Sequence, residues 1–179
     1  MRRLAVAVAG VLALAGCGSA GGDRAAGTPA RTTLSPGTPA QAVAAALAFA
    51  AHSDAEVAVV DGYASLPLAV QRGEQPIDLA GGHVNPCARP PGAGFPSTER
   101  DAIQAAFHGR TVSFVRDPTA ALRERDPGAL LLVATRPLLG DHRGTVMLIS
   151  CVPDPQQILV TVQWEGRAWR AVATGTGTS

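Results

Sequence analysis

Hydrophobic and polar positions divide the chain into an apolar start, a polar low-complexity stretch and a long region of regular patterns. Residues 4–14 form an apolar run, whereas residues 18–38 consist mainly of Gly, Ala, Ser, Thr and Pro. A stretch of the second kind cannot bury enough apolar surface to offset the entropy lost on ordering. We therefore expect a flexible tether over residues 17–38, one domain over residues 39–174 and a disordered tail over residues 175–179.

Helical signals dominate the first half of the predicted domain. Thr38 and Gln41 have the spacing of a capping box, which predicts a helix over residues 39–52. Apolar stripes and capping residues predict two further helices, over residues 98–108 and 117–125.

A hairpin is predicted between the first two helices. The apolar residues of 57–59 precede Asp61-Gly62, a favoured turn pair. Alternation resumes over residues 66–70, where an internal proline restricts any second strand to a sheet edge. Residues 74–96 are rich in turn residues and predict a loop.

The C-terminal part of the chain predicts an antiparallel meander. Strands are expected over residues 111–115, 129–135, 145–152 and 157–164, and the second is continuously apolar, as in a strand buried on both faces. Gly166 suits the first position of a two-residue turn before the last strand. N-terminal helices followed by an antiparallel meander indicate the α+β class.

The turn sets the register of the closing hairpin. It gives three cross-strand pairs that are apolar on one face: Trp164 with Trp169, Val162 with Ala171, and Val160 with Ala173. Packing of the two tryptophans across the strands is favoured over stacking on a ligand. Residues 160–173 (VTVQWEGRAWRAVA) resemble the closing hairpin of NTF2-like domains of secreted bacterial proteins. The resemblance implies a curved sheet that forms a cone, with a small apolar ligand or lipid in its mouth.

The N-terminal apolar run has the features of an export signal. Arg2 and Arg3 precede it, and it is too short to span a hydrocarbon core of ~30 Å. Residues 14–17 (LAGC) resemble the lipobox of bacterial lipoprotein precursors. The resemblance implies a signal peptide at residues 1–16 and a diacylglyceryl, palmitate-type lipid on Cys17. Because two acyl chains anchor a protein stably, we expect the chain on the extracytoplasmic face of the cell membrane.

Two cysteines remain for the domain once Cys17 carries lipid. Cys87 and Cys151 form an even pair in an oxidising compartment, which predicts a disulfide. Closing a loop of this length stabilises a fold by roughly 4 kcal/mol in the chain-entropy account.

Charge and motif content narrow the function classes. Fifteen arginines and no lysine balance fourteen acidic residues, and no arginine cluster offers a footprint for nucleic acid. The histidines lack the spacing of a helical metal-ligand pair: His52, His83, His108 and His142. No nucleophile motif of a hydrolase is present. We expect no catalytic residue, metal or cofactor.

These features favour a non-catalytic binding or assembly module that presents its surface to an envelope protein partner. The alternative is a domain that binds a small apolar ligand or lipid. A further alternative is a cryptic hydrolase that uses Asp78 and His83 of the 74–96 loop, because catalytic groups can converge from distant positions. Asp141 and His142 form a second such pair, for which a surface role is favoured.

Replacing the predicted lipid-bearing residue tests the anchor. We expect Cys17→Ala to release the protein from membranes into the medium, or to leave an unprocessed precursor, because no thiol accepts the lipid. Membrane fractionation and the intact mass of the product measure this. Unchanged fractionation with a product of normal size would contradict the lipid assignment.

Overall fold

A computed structural model describes residues 37–51, 56–77, 85–124, 129–152 and 156–177. The predicted signal peptide, Cys17 and almost all of the tether lie outside these ranges, as do His52, Asp78 and His83. The elements of the described ranges are α1 (Pro39–Ala50), β1 (Val57–Ala64), α2 (Leu68–Gln71), α3 (Ser97–Ala106), β2 (Val112–Val115), α4 (Pro118–Glu124), β3 (Leu130–Thr135), β4 (Leu138–Leu139), β5 (Arg143–Ser150), β6 (Gln156–Trp164) and β7 (Trp169–Gly177).

Helix α1 begins where the sequence predicts, but without the expected capping box. Thr38 occupies the N-cap position with an extended backbone, and its side chain makes no capping hydrogen bond. The backbone N–H of Gln41 donates to the Thr38 carbonyl oxygen at 3.0 Å. The amide that a capping box requires is therefore already bonded. The helix prediction is confirmed, and the capping-box prediction is wrong.

The two later helices are also confirmed. His108, the residue after the C-cap of α3, has a φ of 49°, the left-handed conformation that commonly ends a helix, and Gly109 follows it with a φ of 90°. Asp117 precedes α4, and its Oδ1 accepts hydrogen bonds from the backbone N–H groups of Thr119 and Ala120 at 2.9 and 3.2 Å. Local capping chemistry thus sets one boundary of each helix.

One mixed sheet contains the described strands, in the order β2-β1-β3-β5-β6-β7, with β4 paired to β5. β1 lies between β2 and β3 and is parallel to both. β3, β5, β6 and β7 are antiparallel neighbours and form the predicted meander, whereas the strand predicted at residues 111–115 (β2) lies outside it, parallel to β1. The α+β class is confirmed, and the architecture is compatible with a cone-like α+β fold.

The hairpin predicted around Asp61-Gly62 is wrong. β1 continues through both residues to Ala64, and the segment predicted as the second strand forms α2 instead. Gly62 has a φ of 134°, and the register of β1 against β3 shifts at this point. The turn pair therefore forms a bulge inside a strand. Tertiary hydrogen bonds to Asp61, described below, override its local preference for a turn.

The closing hairpin has the predicted turn. Trp164 pairs with Trp169, and the Glu165 N–H donates to the Ala168 carbonyl oxygen at 2.9 Å. Gly166 supplies a φ of 86° in the turn, where a side chain would be strained.

A bulge changes the hairpin register farther from the turn. Thr161 pairs with Ala173 because Val172 is an extra residue in β7, so the predicted pairing of Ala173 with Val160 is wrong by one position. β7 then continues to Gly177, inside the segment predicted to be a disordered tail. Strand pairing uses backbone hydrogen bonds and needs no apolar side chains. The polar composition of these residues therefore did not indicate that they continue the strand.

Both faces of the sheet are covered. α1 and α3 pack on one face, in a core that includes Leu132 and Ala134 of β3. Residues of α2 and α4 join a second core that includes Leu131 and Val133 of the same strand. Alternate residues of β3 therefore enter different cores, which explains its continuous apolar run.

The predicted disulfide joins Cys87 to Cys151, with the Cα atoms 5.7 Å apart. It connects the loop before α3 to the residue that follows β5. The cysteines are 64 residues apart in sequence. In the chain-entropy account, a link of this span stabilises the fold by about 4 kcal/mol.

Replacing Gly62 tests the bulge in β1. A Cβ at Gly62 would overlap the Ala93 carbonyl oxygen, at a φ that side chains rarely adopt. We expect Gly62→Ala to lower the free energy of unfolding by about 2–4 kcal/mol, through strain and overpacking. Urea unfolding followed by tryptophan fluorescence measures it.

Gly92→Ala is the matched control, because a Cβ there meets no heavy atom within 4 Å. It should change the free energy of unfolding by less than about 1 kcal/mol. Equal effects of the two substitutions would contradict the bulge.

Candidate functional site

An open groove lies between α1, α3 and the start of β7. Its volume is about 790 Å³, within the range of roughly 300–1,000 Å³ that is typical of small-molecule sites. Alanines form most of its walls: Ala44, Ala45 and Ala48 of α1, Ala102, Ala105 and Ala106 of α3, and Ala168 and Ala171 of the hairpin. This space is called the α1 groove below.

Small side chains on two helices produce the groove. Residues four apart share one face of a helix, so Ala44 and Ala48 line the groove from α1 and Ala102 and Ala106 line it from α3. Larger side chains at these positions would fill the space. Ala44 is buried and Ala105 is exposed, so the groove extends from the core to the surface.

Larger and polar residues lie near the ends of the lining elements. Phe49, close to the C-terminus of α1, is 42% exposed although it is aromatic. The polar and charged residues of the lining are Gln41 in the first turn of α1, His108 and Arg110 after α3, and Glu165 and Arg170 at the closing hairpin. The lining is apolar along the middle of the helices, and this arrangement suits an apolar or amphipathic occupant.

Trp169 connects the groove to the start of α1. Its indole lines the groove, and Nε1–H donates to the Gly37 carbonyl oxygen at 2.8 Å. Its ring packs on Trp164 with centroids 5.7 Å apart, the cross-strand packing that the sequence favours. A Cβ on Gly37 would collide with the Trp164 ring, so only glycine fits this close approach.

A separate polar cluster surrounds the Asp61 carboxylate in β1. Its Oδ1 accepts hydrogen bonds from the Phe95 backbone N–H at 3.0 Å and from Arg100 Nε at 3.1 Å. Its Oδ2 accepts one from Arg100 Nη2 at 2.7 Å, and Arg116 Nη1 lies 4.0 Å away. The side chain is 5% exposed and amply bonded. This carboxylate ties β1 to the start of α3, a structural role.

Tyr63 lies two residues farther along β1. Its ring packs edge-on against Phe95 with centroids 4.9 Å apart, and the Arg136 guanidinium lies 5.5 Å from its centroid. Burial raises the pKa of the Tyr63 hydroxyl above its usual value, and the neighbouring Glu99 carboxylate raises it further, while Arg136 lowers it. The hydroxyl is therefore held in its neutral form.

Tyr63 also lines a smaller cavity. It is lined by residues 63–66 of β1 and its following turn, and by prolines of the loop before α3. Its volume of about 210 Å³ is below the usual range of roughly 300–1,000 Å³ for ligand sites. The α1 groove is therefore the candidate functional site.

Among the residues singled out by sequence, the structure brings together Cys87 with Cys151 and Trp164 with Trp169. Asp141 and His142 share one exposed turn. No group of His, Cys, Asp or Glu within the described ranges is arranged to hold a metal ion. The Asp78–His83 pair of the hydrolase hypothesis lies outside those ranges, so that hypothesis stays a prediction.

Sequence reasoning missed the groove because alanine carries no chemical signature. The available signal was the repeat of alanine at spacings of four on two helices, together with the aromatic residue Phe49 near the end of the first. Neither feature shows which helices face each other, and that juxtaposition creates the groove.

No protein-family model, curated protein or solved structure matches this chain. Among the described residues, no helix is long and apolar enough to cross a membrane.

Titration of Tyr63 tests the buried environment of its hydroxyl, and the chain contains one tyrosine. The pKa of Tyr63 is higher in the folded chain than its ordinary value of about 10. Its contribution to stability is therefore full below about pH 10 and falls as the pH rises further, because the unfolded chain then releases a proton that the folded chain retains. Ultraviolet absorbance should show tyrosinate near pH 10 in denaturant but only at higher pH in the folded chain.

Tyr63→Phe is the control for this titration. It should remove the tyrosinate signal, and it should also remove the part of the stability loss above about pH 10 that comes from ionisation of Tyr63. A folded chain that ionises at the same pH as the denatured chain would show that the hydroxyl is not held neutral.

Proposed function

We propose that this chain is a non-catalytic binding module of the bacterial cell envelope. In this proposal, lipid on Cys17 anchors it to the extracytoplasmic face of the cell membrane, and the α1 groove is its binding surface. The groove carries the proposal because it is concave, open and lined mainly by apolar side chains that remain partly in contact with water. Removing such a surface from water favours association.

The shape of the groove supports an elongated occupant. A flat apolar patch would suit a broad protein interface, and a closed cavity would suit a compact ligand. The α1 groove is open and follows two helices. An apolar segment of an envelope protein is one candidate, because grooves between helices bind such segments. A small apolar ligand or lipid is the second, and the volume of about 790 Å³ favours it.

The anchor is supported by residues 14–17 together with the apolar run before them. The disulfide is consistent with this location, since disulfides persist outside the reducing cytoplasm. An anchored domain stays close to membrane components, which raises their effective concentration at the groove.

Photocrosslinking in intact cells tests the groove as a binding surface. A photoreactive phenylalanine analogue at Phe49 should form a discrete adduct, because this side chain is 42% exposed at the groove. Ala105→Glu should reduce the yield, since an occupant would desolvate the new carboxylate.

The same analogue at Leu68 is the matched control. Leu68 is 48% exposed on α2, which packs on the opposite face of the sheet. Equal yields at the two positions, or no adduct at Phe49, would contradict the proposal.

A further inference from the structure

We infer that the α1 groove holds the acyl chain of a membrane lipid, which enters at the end formed by the β6–β7 hairpin. This inference rests on the proposed function and specifies the chemistry of the occupant. Three observations carry it: the point where the chain enters the domain, the length of chain before that point, and the hydrogen-bonding state of the groove walls.

The chain that precedes α1 joins the domain beside the groove. Gly37 is fixed there by the hydrogen bond from Trp169 Nε1 to its carbonyl oxygen at 2.8 Å and by its close approach to Trp164. Trp169 and Gln41 both line the groove. Any tension or restraint from an N-terminal anchor therefore acts at the hairpin end of the groove.

The length of chain between Cys17 and Gly37 sets how far the groove lies from the lipid. These residues have the composition of a flexible chain, whose average end-to-end distance for about twenty residues is roughly 25 Å. The hairpin end of the groove is thus held near the bilayer surface. A lipid there can extend one acyl chain into the groove without leaving the bilayer completely. The distal end, near Phe49, has no such restraint.

The walls of the groove favour an acyl chain over an extended peptide. α1 and α3 form two walls, and backbone groups inside a helix are already hydrogen-bonded within it. Along these two helices, an extended peptide would find no backbone partners for its own N–H and C=O groups. An acyl chain has no polar groups along its length, and alanine methyls with exposed Phe49 provide the apolar contact that it requires.

Quenching of Trp169 fluorescence tests the inference. The acylated full-length protein, with Trp164→Phe so that Trp169 is the remaining tryptophan, is reconstituted in phosphatidylcholine vesicles whose acyl chains carry bromine. Bromine quenches an indole that it contacts. We expect loss of Trp169 emission relative to vesicles without bromine.

A substitution that fills the groove distinguishes an acyl chain bound in the groove from a bilayer that is merely close to Trp169. Ala105→Phe fills the groove from α3 and should restore Trp169 emission in brominated vesicles. Ala173→Phe is the control, because Ala173 is exposed on β7 outside the groove lining. Near-ultraviolet circular dichroism of each variant verifies that the fold is intact.

Each outcome decides the inference. Quenching that Ala105→Phe removes and Ala173→Phe leaves supports it. No quenching, or quenching that Ala105→Phe leaves unchanged, overturns it and leaves the proposed binding module standing. A protein-sized adduct at Phe49 in the photocrosslinking experiment also overturns it.

Failure of the anchor is detected separately, by an intact mass that shows no lipid on Cys17. That result contradicts the proposed function. The groove is then tested with a soluble short-chain phosphatidylcholine that carries bromine, and lack of quenching by this probe overturns the inference on its own.

Discussion

The buried Asp61 carboxylate is the constraint on which the arrangement of the domain depends. It receives hydrogen bonds from the backbone before α3 and from Arg100 in the first turn of that helix, while its own backbone belongs to β1. A buried carboxylate is costly unless it is paired and hydrogen-bonded. This requirement holds α3 in one position over the sheet. Since α3 forms one wall of the α1 groove, the shape of the groove depends on the hydrogen bonds of Asp61, which lies outside the groove lining.

The opposite wall has a comparable support at the hairpin. Trp169 packs on Trp164, donates a hydrogen bond to the Gly37 carbonyl and lines the groove. A single side chain, Trp169, therefore contributes to the position of the chain before α1, to the pairing of β6 with β7 and to the wall of the groove. On the other face of the sheet, the disulfide from Cys87 to Cys151 holds the loop that leads to α3. One wall of the groove is thus held by contacts at its hairpin end, and the other by contacts made outside the groove.

The proposed binding function rests on the composition of the α1 groove. Its alanines offer apolar surface and leave space, and the polar residues of the lining lie near the ends of its elements. In the proposed function, such a surface binds an apolar occupant by exclusion of water, without directional hydrogen bonds along its length. The position of Gly37 distinguishes the two ends of the groove, because the chain that leads to the proposed anchor joins the domain at the hairpin end.

Local physical chemistry made much of this fold predictable from sequence. Helix α4 follows from Asp117 as a cap, β3 from a continuous apolar run, and the closing turn from Gly166, because each signal acts over a few residues. The sequence by itself also determined the α+β class and the pairing of Cys87 with Cys151, since chain order and cysteine number leave few alternatives.

Tertiary structure decided what local signals could not. Asp61-Gly62 has the sequence of a turn, yet a bonded carboxylate and the close approach of Ala93 keep it inside a strand. Residues near Gly177 have the composition of a tail, yet the backbone of β6 pairs with them. The α1 groove exists because two alanine faces, separated by half the domain in sequence, lie side by side. Long-range contacts determine such a juxtaposition, and no pattern within one helix encodes it.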